Sequence, residues 1–317
     1  MADPISALWP ELNYDAWQET RATLHLWTQI VGKIRLQQTP WLNHGWQVTL
    51  YVTSRGLTTS PIAHGPRSFE LEFNFNEQVL DITVSDGNVR RLPLRPQSVA
   101  DFYAALMAAL CELGVAVTIK EGPCEIQGAT PFSQDRTHVA YDGDYARRFW
   151  QVLLQADRVL KQFRTGFLGK CSPVHFFWGS FDLAVTRFSG RRAPRFQGTT
   201  PGLALEVMCE AYSHEVSSAG FWPGDNRIEY PAFYSYAYPT PAGFREATVQ
   251  PAAAAFSETL GQFLLPYEAV RTAADPDAAL LAFLQSTYEA AARTAHWDRG
   301  ALECPHGIPC VPFDVPH

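Results

Sequence analysis

A two-residue repeat of side-chain types is clearest from Pro173 to Phe188, where the sequence reads P-V-H-F-F-W-G-S-F-D-L-A-V-T-R-F. Residues two apart lie on one side of a strand, and β-branched and aromatic residues favour strands, so this segment predicts one. His175 and Arg187 fall on one predicted face and Asp182 on the other. Gly179 lies between them, where a bulge or a close backbone approach is expected.

Apolar residues at every third or fourth position predict five helices in the rest of the chain. Their approximate ranges are 13–31, 97–113, 143–167, 252–271 and 276–296. Ser98 and Asp101 have the spacing of a capping box and predict where the second of these helices begins. Pro276 separates the last two helices, because the residue before a proline disfavours helical backbone.

Alternation also predicts several further strands. Their approximate ranges are 46–53, 68–75, 79–84, 89–94, 115–119, 203–215 and 232–238. The turn residues at 85–88 predict a hairpin between two of them. Helices before and after runs of antiparallel strands predict an α+β fold.

The segment Pro40–Arg55 corresponds to the segment from Pro173 when the chain is shifted by 133 positions (173 − 40). The same shift places Leu50 on Leu183 and Trp17 on Trp150. We therefore predict an internal duplication, with two tandem related units that each run helix, antiparallel β-meander, helix. The predicted boundaries are a first unit at 1–120, a linker at 121–142, a second unit with the candidate site at 143–300, and an irregular tail at 301–317.

Composition narrows the class of protein. Apolar residues make up 46% of the 317 residues and charged residues 18%, which is typical of a globular chain. The net charge of −7 argues against a general nucleic-acid-binding protein. The six cysteines form no secreted disulfide pattern, and neither a signal peptide nor a membrane-spanning apolar run is recognisable. We expect a soluble cytoplasmic protein that binds neither nucleic acid nor a membrane.

Two groups of polar residues suggest chemistry. Glu206, Glu210 and His214 share one face of the predicted strand 203–215 and could supply a metal site or acid–base partners, or merely form a solvent-exposed face. Arg187 among phenylalanines is expected to pair with a carboxylate or an anionic ligand, because an isolated buried cation is costly. His175 beside it could act chemically or could be a satisfied core residue.

Three further groups carry weaker signals. Arg187, Arg191, Arg192 and Arg195 could bind phosphate or carboxylate, or form a solvated hairpin tip. The aromatic side chains around Trp222 and on the strand 232–238 could line a pocket for a flat ligand, or form core or an oligomer interface. Cys304, His306 and Cys310 could contribute to a zinc site, although a loose tail is the simpler interpretation. Phosphate-loop, dinucleotide-binding, serine-hydrolase and zinc-protease motifs are not found.

Three segments, at 172–191, 212–224 and 233–239, resemble a bacterial family of uncharacterised proteins. They read S-P-V-H-F-F-W-G-S-F-D-L-A-V-T-R-F-S-G-R, Y-S-H-E-V-S-S-A-G-F-W-P-G and F-Y-S-Y-A-Y-P. The resemblance spans nearly the whole chain and implies no established activity. The residues that it marks are His175, Trp178, Asp182, Arg187, His214, Glu215, Trp222, Tyr234 and Tyr236.

Our leading hypothesis is a small-molecule enzyme with a cleft in the second unit or at the joint between the units. The candidate catalytic residues are His175, Asp182, His214 and Glu215. The candidate ligand-binding residues are Trp178, Arg187, Trp222, Tyr234 and Tyr236, for a small anionic or aromatic ligand. The alternative is a non-catalytic module that binds a small ligand or a protein through its aromatic face. Metal, cofactor, substrate and oligomeric state stay open.

Overall fold

A computed structural model describes residues 8–305 and contains seven helices that we label α1–α7. They are α1 (Tyr14–Gln38), α2 (Val99–Glu112), α3 (Gly143–Arg164), α4 (Leu205–Ala211), α5 (Tyr267–Arg271), α6 (Pro276–Thr294) and α7 (Arg299–Leu302). Two 3₁₀ helices lie at Asn43–Val48 and Phe132–Gln134. No described helix has both the length and the apolar character that crossing a membrane requires.

Within these described residues, twelve strands form two antiparallel sheets of six strands each. The first sheet contains β1 (Tyr51–Val52), β2 (Gly56–Thr58), β3 (Ile62–His64), β4 (Arg67–Asn74), β5 (Val79–Val84) and β6 (Val89–Pro93). Its order is β1-β2-β4-β5-β6, and β3 also pairs with β4. The second contains β7 (His175–Phe177), β8 (Asp182–Arg192), β9 (His214–Trp222), β10 (Ala232–Tyr238), β11 (Ala255–Ser257) and β12 (Gln262–Pro266). Its order is β11-β12-β10-β9-β8-β7. Helices with two antiparallel sheets confirm the α+β class.

The two sheets are connected through the edge strand β7. Leu50, just before β1, exchanges two backbone hydrogen bonds of 2.9 Å with Phe176. The Trp178 indole donates a 2.6 Å hydrogen bond to the carbonyl of Val48 and packs against α1 at Gly32, where a β-carbon would overlap the indole ring. The joint between the sheets is therefore ordered by both backbone and side-chain contacts.

The central part of α1 is buried on every side, from Thr23 to Ile34. A helix in this position must satisfy its polar side chains internally. Gln29 does so with its side-chain amide, which donates to the Cys124 carbonyl at 2.8 Å and accepts from the Cys124 N–H at 2.9 Å. His25 donates from Nε2 to the Gly179 carbonyl at 2.9 Å. Helix α1 thus fixes two distant chain segments side by side.

The segment predicted as one strand from Pro173 is in fact a hairpin. Residues 178–181 form a tight turn, closed by a 2.8 Å hydrogen bond from the Phe181 N–H to the Phe177 carbonyl. Phe181 adopts a positive φ of 60° there. His175 pairs with Ala184, which lies on the same face of the sheet as Asp182, whereas Arg187 lies on the other face. The prediction that His175 and Arg187 share a face is therefore wrong.

The predicted strand at 203–215 is also wrong. Its first part is α4, and β9 begins only at His214. Glu206 and Glu210 therefore lie one helical turn apart, not on a strand face with His214. Within residues 8–305, no three or more His, Cys, Asp or Glu side chains are grouped so that they could hold a metal ion. The tail candidates His306 and Cys310 lie outside the described residues.

Three other segments differ from prediction. The predicted helix at 252–271 is the hairpin β11–β12 followed by the short α5. The predicted strand at 46–53 begins inside the 3₁₀ helix Asn43–Val48 and is a strand only over β1, after the bridge at Leu50, and no strand forms at 115–119. The strands at 68–75, 79–84, 89–94 and 232–238 are confirmed, as are the other four helices and the Ser98 cap of α2. The internal duplication stays a prediction.

Replacing Gln29 by leucine should lower the free energy of unfolding by about 2 to 4 kcal/mol. The substitution removes both hydrogen bonds to Cys124 and leaves its backbone N–H and carbonyl buried without those partners. Urea denaturation followed by circular dichroism measures the change. Gln18→Leu on the exposed face of α1 is the matched control and should stay near wild type. Equal stability of both variants would contradict the role given to Gln29.

Candidate functional site

A cavity of about 270 Å³ lies against one face of the second sheet. The 3₁₀ helix Asn43–Val48, the segment 124–125 and α4 form its other sides. Its apolar lining combines aliphatic side chains and Met208 with five aromatic ones, which are Trp41, Trp46, Phe177, Trp178 and Phe188. Its polar lining includes Glu125, Ser180, Asp182, Tyr212, Tyr234 and Tyr236. The cavity thus combines a large apolar wall with several polar groups, which is typical of a small-molecule site.

Asp182 is the first residue of β8 and is only 8% exposed. Its carboxyl oxygens accept hydrogen bonds from the hydroxyls of Ser180 and Tyr234. Burial raises the pKa of Asp182, and these two hydrogen bonds oppose that rise because they favour the ionised form. Asp182 is therefore a buried acid whose position is fixed by two donors.

Glu125 faces the same cavity and is held there by its backbone. Its N–H donates to the Pro201 carbonyl at 2.7 Å, its φ is positive at 61°, and Gln29 fixes the preceding residue. The carboxyl group lies against Gly179, where any β-carbon would collide with it. Glycine at 179 therefore leaves room for the glutamate in this position, and a larger residue there would displace the carboxyl group.

The Glu125 carboxyl accepts no hydrogen bond from residues 8–305, in contrast to Asp182. Burial and then the negative charge of Asp182 raise the pKa of Glu125 to about 7, while Arg227 opposes the rise. A carboxyl with a pKa near neutrality in a cavity can both release and accept a proton at cellular pH.

Three tyrosines complete this polar group. The hydroxyls of Tyr212 and Tyr236 are 3.0 Å apart, and the rings of Tyr234 and Tyr236 stack with centroids separated by 6.1 Å. Burial raises the pKa of all three phenols, so they stay neutral. Their hydroxyls act as hydrogen-bonding groups and their rings as part of the wall.

His44 and Glu210 hold α4 against the 3₁₀ helix. The Glu210 carboxylate accepts from the Trp41 indole at 2.6 Å and from the His44 N–H at 3.3 Å. His44 Nδ1 donates to the Glu210 carbonyl at 3.0 Å, so His44 Nε2 accepts from Lys170 at 2.7 Å. Burial and the nearby Lys170 lower the pKa of His44, which keeps the ring neutral. These contacts keep α4 in place as one side of the cavity.

Four of the residues marked by the sequence line the cavity together: Trp178, Asp182, Tyr234 and Tyr236. Trp222 does not line it but packs in a small cluster with Tyr234, under the Arg227 guanidinium at 4.9 Å. His214 lies on the cavity side of β9, and its ring meets the edge of the His44 ring at 6.2 Å. It is adjacent to the cavity but is not part of the lining.

The other three marked residues lie elsewhere. His175 is buried between the rings of Trp46 and Tyr51, each 5.6 Å away, and burial with two nearby arginines lowers its pKa to about 3. Arg187 lies on the opposite face of the sheet. Glu215 pairs with an arginine of the hairpin, Arg191, at 2.7 Å. None of the three lines the cavity.

The expected pairing of Arg187 with a carboxylate is not observed, because none of the described carboxylates lies within salt-bridge distance of its guanidinium. Its guanidinium lies 3.5 Å from the centroid of the Phe163 ring and 4.3 Å from that of Tyr288, and it donates to the Phe163 carbonyl. Cation–π contacts of this kind are strongest when water is excluded. Burial lowers the pKa of Arg187 to about 10, so the side chain stays charged at neutral pH. Its position on the far face gives it no contact with a ligand in the cavity.

Sequence reasoning missed Glu125, His44 and Trp41. Glu125 belongs to the predicted linker, where the neighbouring Pro123 and Gly128 indicated only irregular backbone. A polar residue in such a loop is a common kind of functional residue, but many linker residues satisfy that description. Its position depends on the long-range contact between α1 and residue 124, which has no local signal.

The chain belongs to a family of unknown function. The family model described as "Family of unknown function (DUF5996)" matches residues 9–304, which confirms the resemblance recognised in the sequence. No curated protein matches the chain, and no solved structure does.

Replacing Glu210 by alanine should loosen α4 and the exposed segment that precedes it. The variant loses the carboxylate contacts to Trp41 and to the His44 N–H. We expect trypsin to cut after the exposed Arg195 about tenfold faster, because cleavage follows local opening. Glu206→Ala on the exposed side of the same helix is the control. Equal cleavage rates for the two variants would show that Glu210 does not hold α4.

The raised pKa of Glu125 predicts a pH-dependent cost to stability. The unfolded chain loses this proton near the ordinary value of 4.5 and the folded chain near 7, so unfolding becomes easier as pH rises between the two values. The free energy of unfolding of Glu125→Gln should equal that of wild type at pH 4 and exceed it by at most about 3 kcal/mol at pH 8. Urea denaturation across this range tests the difference. A pH-independent difference would rule out the shifted carboxyl.

Proposed function

We propose that this member of the DUF5996 family is a small-molecule enzyme whose active site is the cavity between α4, the 3₁₀ helix Asn43–Val48 and the second sheet. The observation that carries the proposal is the Glu125 carboxyl, which receives no hydrogen bond from residues 8–305 and faces the cavity beside Asp182. Glu125 is half-buried, and an acid in such a position without a hydrogen-bond donor gains nothing for stability, so its placement favours a chemical role over a structural one.

The two acids have different environments and therefore different roles. Asp182 receives two hydroxyl donors, which favour its ionised form and fix its orientation. Glu125 lacks such donors, and burial with the charge of Asp182 raises its pKa to about 7, so it acts as the general acid or base. Two carboxyls in different surroundings are a usual arrangement for acid–base catalysis.

The walls define the body of the substrate. Trp41, Trp46, Phe177 and Phe188 present aromatic area, and the volume is near the lower end for small-molecule sites. A compact substrate with a flat or aliphatic body fits this lining. The reacting group would lie beside Glu125, where Tyr234 and Tyr236 can orient it through their hydroxyls.

The second candidate function is a binding module without catalysis. It is favoured by one observation: the hydroxyls of Tyr212 and Tyr236 already pair with each other, so much of the polar lining is satisfied before a ligand enters. Such a module would bind its ligand in the same cavity and return it unchanged.

The duplication predicted from the sequence also finds support in the arrangement. Each sheet follows a long helix, α1 or α3, and the shifted pair Trp17 and Trp150 lies on those two helices. We infer that both halves derive from one ancestral unit, and that the acid–base site uses the second sheet together with the segment between the halves.

Glu125→Gln should abolish turnover, because it removes the group that exchanges the proton. Purified protein is incubated with a mixture of cellular metabolites, and consumption is followed by mass spectrometry. We expect wild type to consume a component at least about 100-fold faster than Glu125→Gln, which is the contribution expected of a general acid or base. Glu246→Gln, exposed and outside the cavity, should behave as wild type.

Two results would contradict the enzymatic proposal. Equal consumption by wild type and Glu125→Gln would remove Glu125 from the chemistry. Tight retention of a component without consumption would favour the binding module.

A further inference from the structure

We propose that the ligand of this cavity is a small organic cation, an amine or ammonium compound with an apolar body, and that Glu125 and Asp182 bind its charged group. This inference rests on the proposed function, because it concerns the substrate class of the same site. Three independent features of the lining support it: its charge, its aromatic surface and the position of the nearest cations.

The charged groups of the lining are of one sign. Glu125 and Asp182 are its two acids, and the described lining residues include neither lysine nor arginine. His44 contributes no positive charge, because its Nδ1 donates to the Glu210 carbonyl and its Nε2 accepts from Lys170. A ligand anion would therefore meet two carboxyls without a compensating cation, whereas a ligand cation would be attracted to both.

The nearest protein cations are already engaged elsewhere. Lys170 donates to His44 and lies over the rings of Trp46 and Phe188 at 5.3 and 5.0 Å. Arg227 pairs with Asp225 at 2.9 Å and covers Trp222. Neither side chain lines the cavity. Glu125 thus has an unfilled capacity for hydrogen bonds that an ammonium group, with its N–H donors, would satisfy.

Aromatic rings surround the two acids. Tyr234 and Tyr236 stack beside Asp182, and Trp178 lies in the turn that carries Ser180. The faces of such rings attract organic cations, most strongly where water is excluded. Carboxylates together with aromatic rings are the combination that recognises substituted ammonium groups, while the apolar wall at Trp41 receives the remainder of the ligand.

The anionic ligand considered from sequence depended on Arg187 as its anchor. Arg187 lies on the other face of the sheet, between Phe163 and Tyr288. Without that side chain the cavity offers an anion no fixed positive charge from its described lining. The aromatic part of that expectation agrees with the lining, whereas the charge that we propose for the ligand is the opposite one.

The test uses three probes with the same ring and different charge: benzylamine, benzyl alcohol and benzoate. Isothermal titration calorimetry at pH 7.5 measures their affinities for the full chain. We expect benzylamine to bind at least about tenfold more tightly than the other two. Glu125→Gln should remove most of this preference, and Glu246→Gln should keep it. Asp182→Asn provides a second variant, and circular dichroism checks that both fold.

Equal affinities, absence of measurable binding for all three probes at millimolar concentration, or tighter binding of benzoate would overturn the inference. So would an unchanged preference in Glu125→Gln. The proposed enzymatic function fails separately. If a neutral or anionic metabolite is consumed and Glu125→Gln stops the consumption, the enzymatic function is supported and the cationic substrate is contradicted. If amines bind selectively but nothing is consumed, the cationic ligand is supported and the enzymatic function is contradicted.

Discussion

Gln29 joins the two halves of the chain at the point where the cavity is formed. Its amide binds both backbone groups of Cys124, while His25, one turn earlier on α1, binds the carbonyl of Gly179. Burial lowers the pKa of His25 to about 4, so the ring is neutral and the contact carries no buried charge. A buried helix must satisfy its polar groups, and here that requirement fixes two loops beside each other.

The acids of the site depend on this arrangement. Glu125 follows directly after Cys124, and its carboxyl occupies the position where a β-carbon of residue 179 would lie, which Gly179 lacks. The turn that includes Gly179 also presents Ser180 to Asp182. The two carboxyl groups are therefore brought close together by the contacts of Gln29 and His25 with the backbone of neighbouring residues. The packing of α1 opposes their mutual repulsion and leaves the Glu125 carboxyl free to contact a ligand.

The sequence predicted the fold class, the long amphipathic helices and the meander of the first sheet, because these elements have clear local periodicity. It failed at α4, where L-A-L-E-V alternates over too few residues to distinguish a strand from a helix. It also ran one strand through the turn at 178–181, since aromatic residues on both sides hid the turn. Asp182, Tyr234 and Tyr236, singled out in the sequence, lie together in the cavity lining. Glu125 was not singled out, because its place is set by the contact of Cys124 with Gln29, about 100 residues earlier.

The titration of Glu125 is the most direct measurement of the central claim. Protein labelled with carbon-13 at glutamate side-chain carboxyls can be followed by NMR from pH 3 to 9, with Glu125→Gln to assign the signal. A midpoint near 7 that falls when Asp182 is replaced by asparagine is expected, because burial and then the charge of Asp182 hold the proton. A midpoint near 4.5, unchanged in Asp182→Asn, would mean that Glu125 is solvated and apart from Asp182, and the acid–base site would not exist.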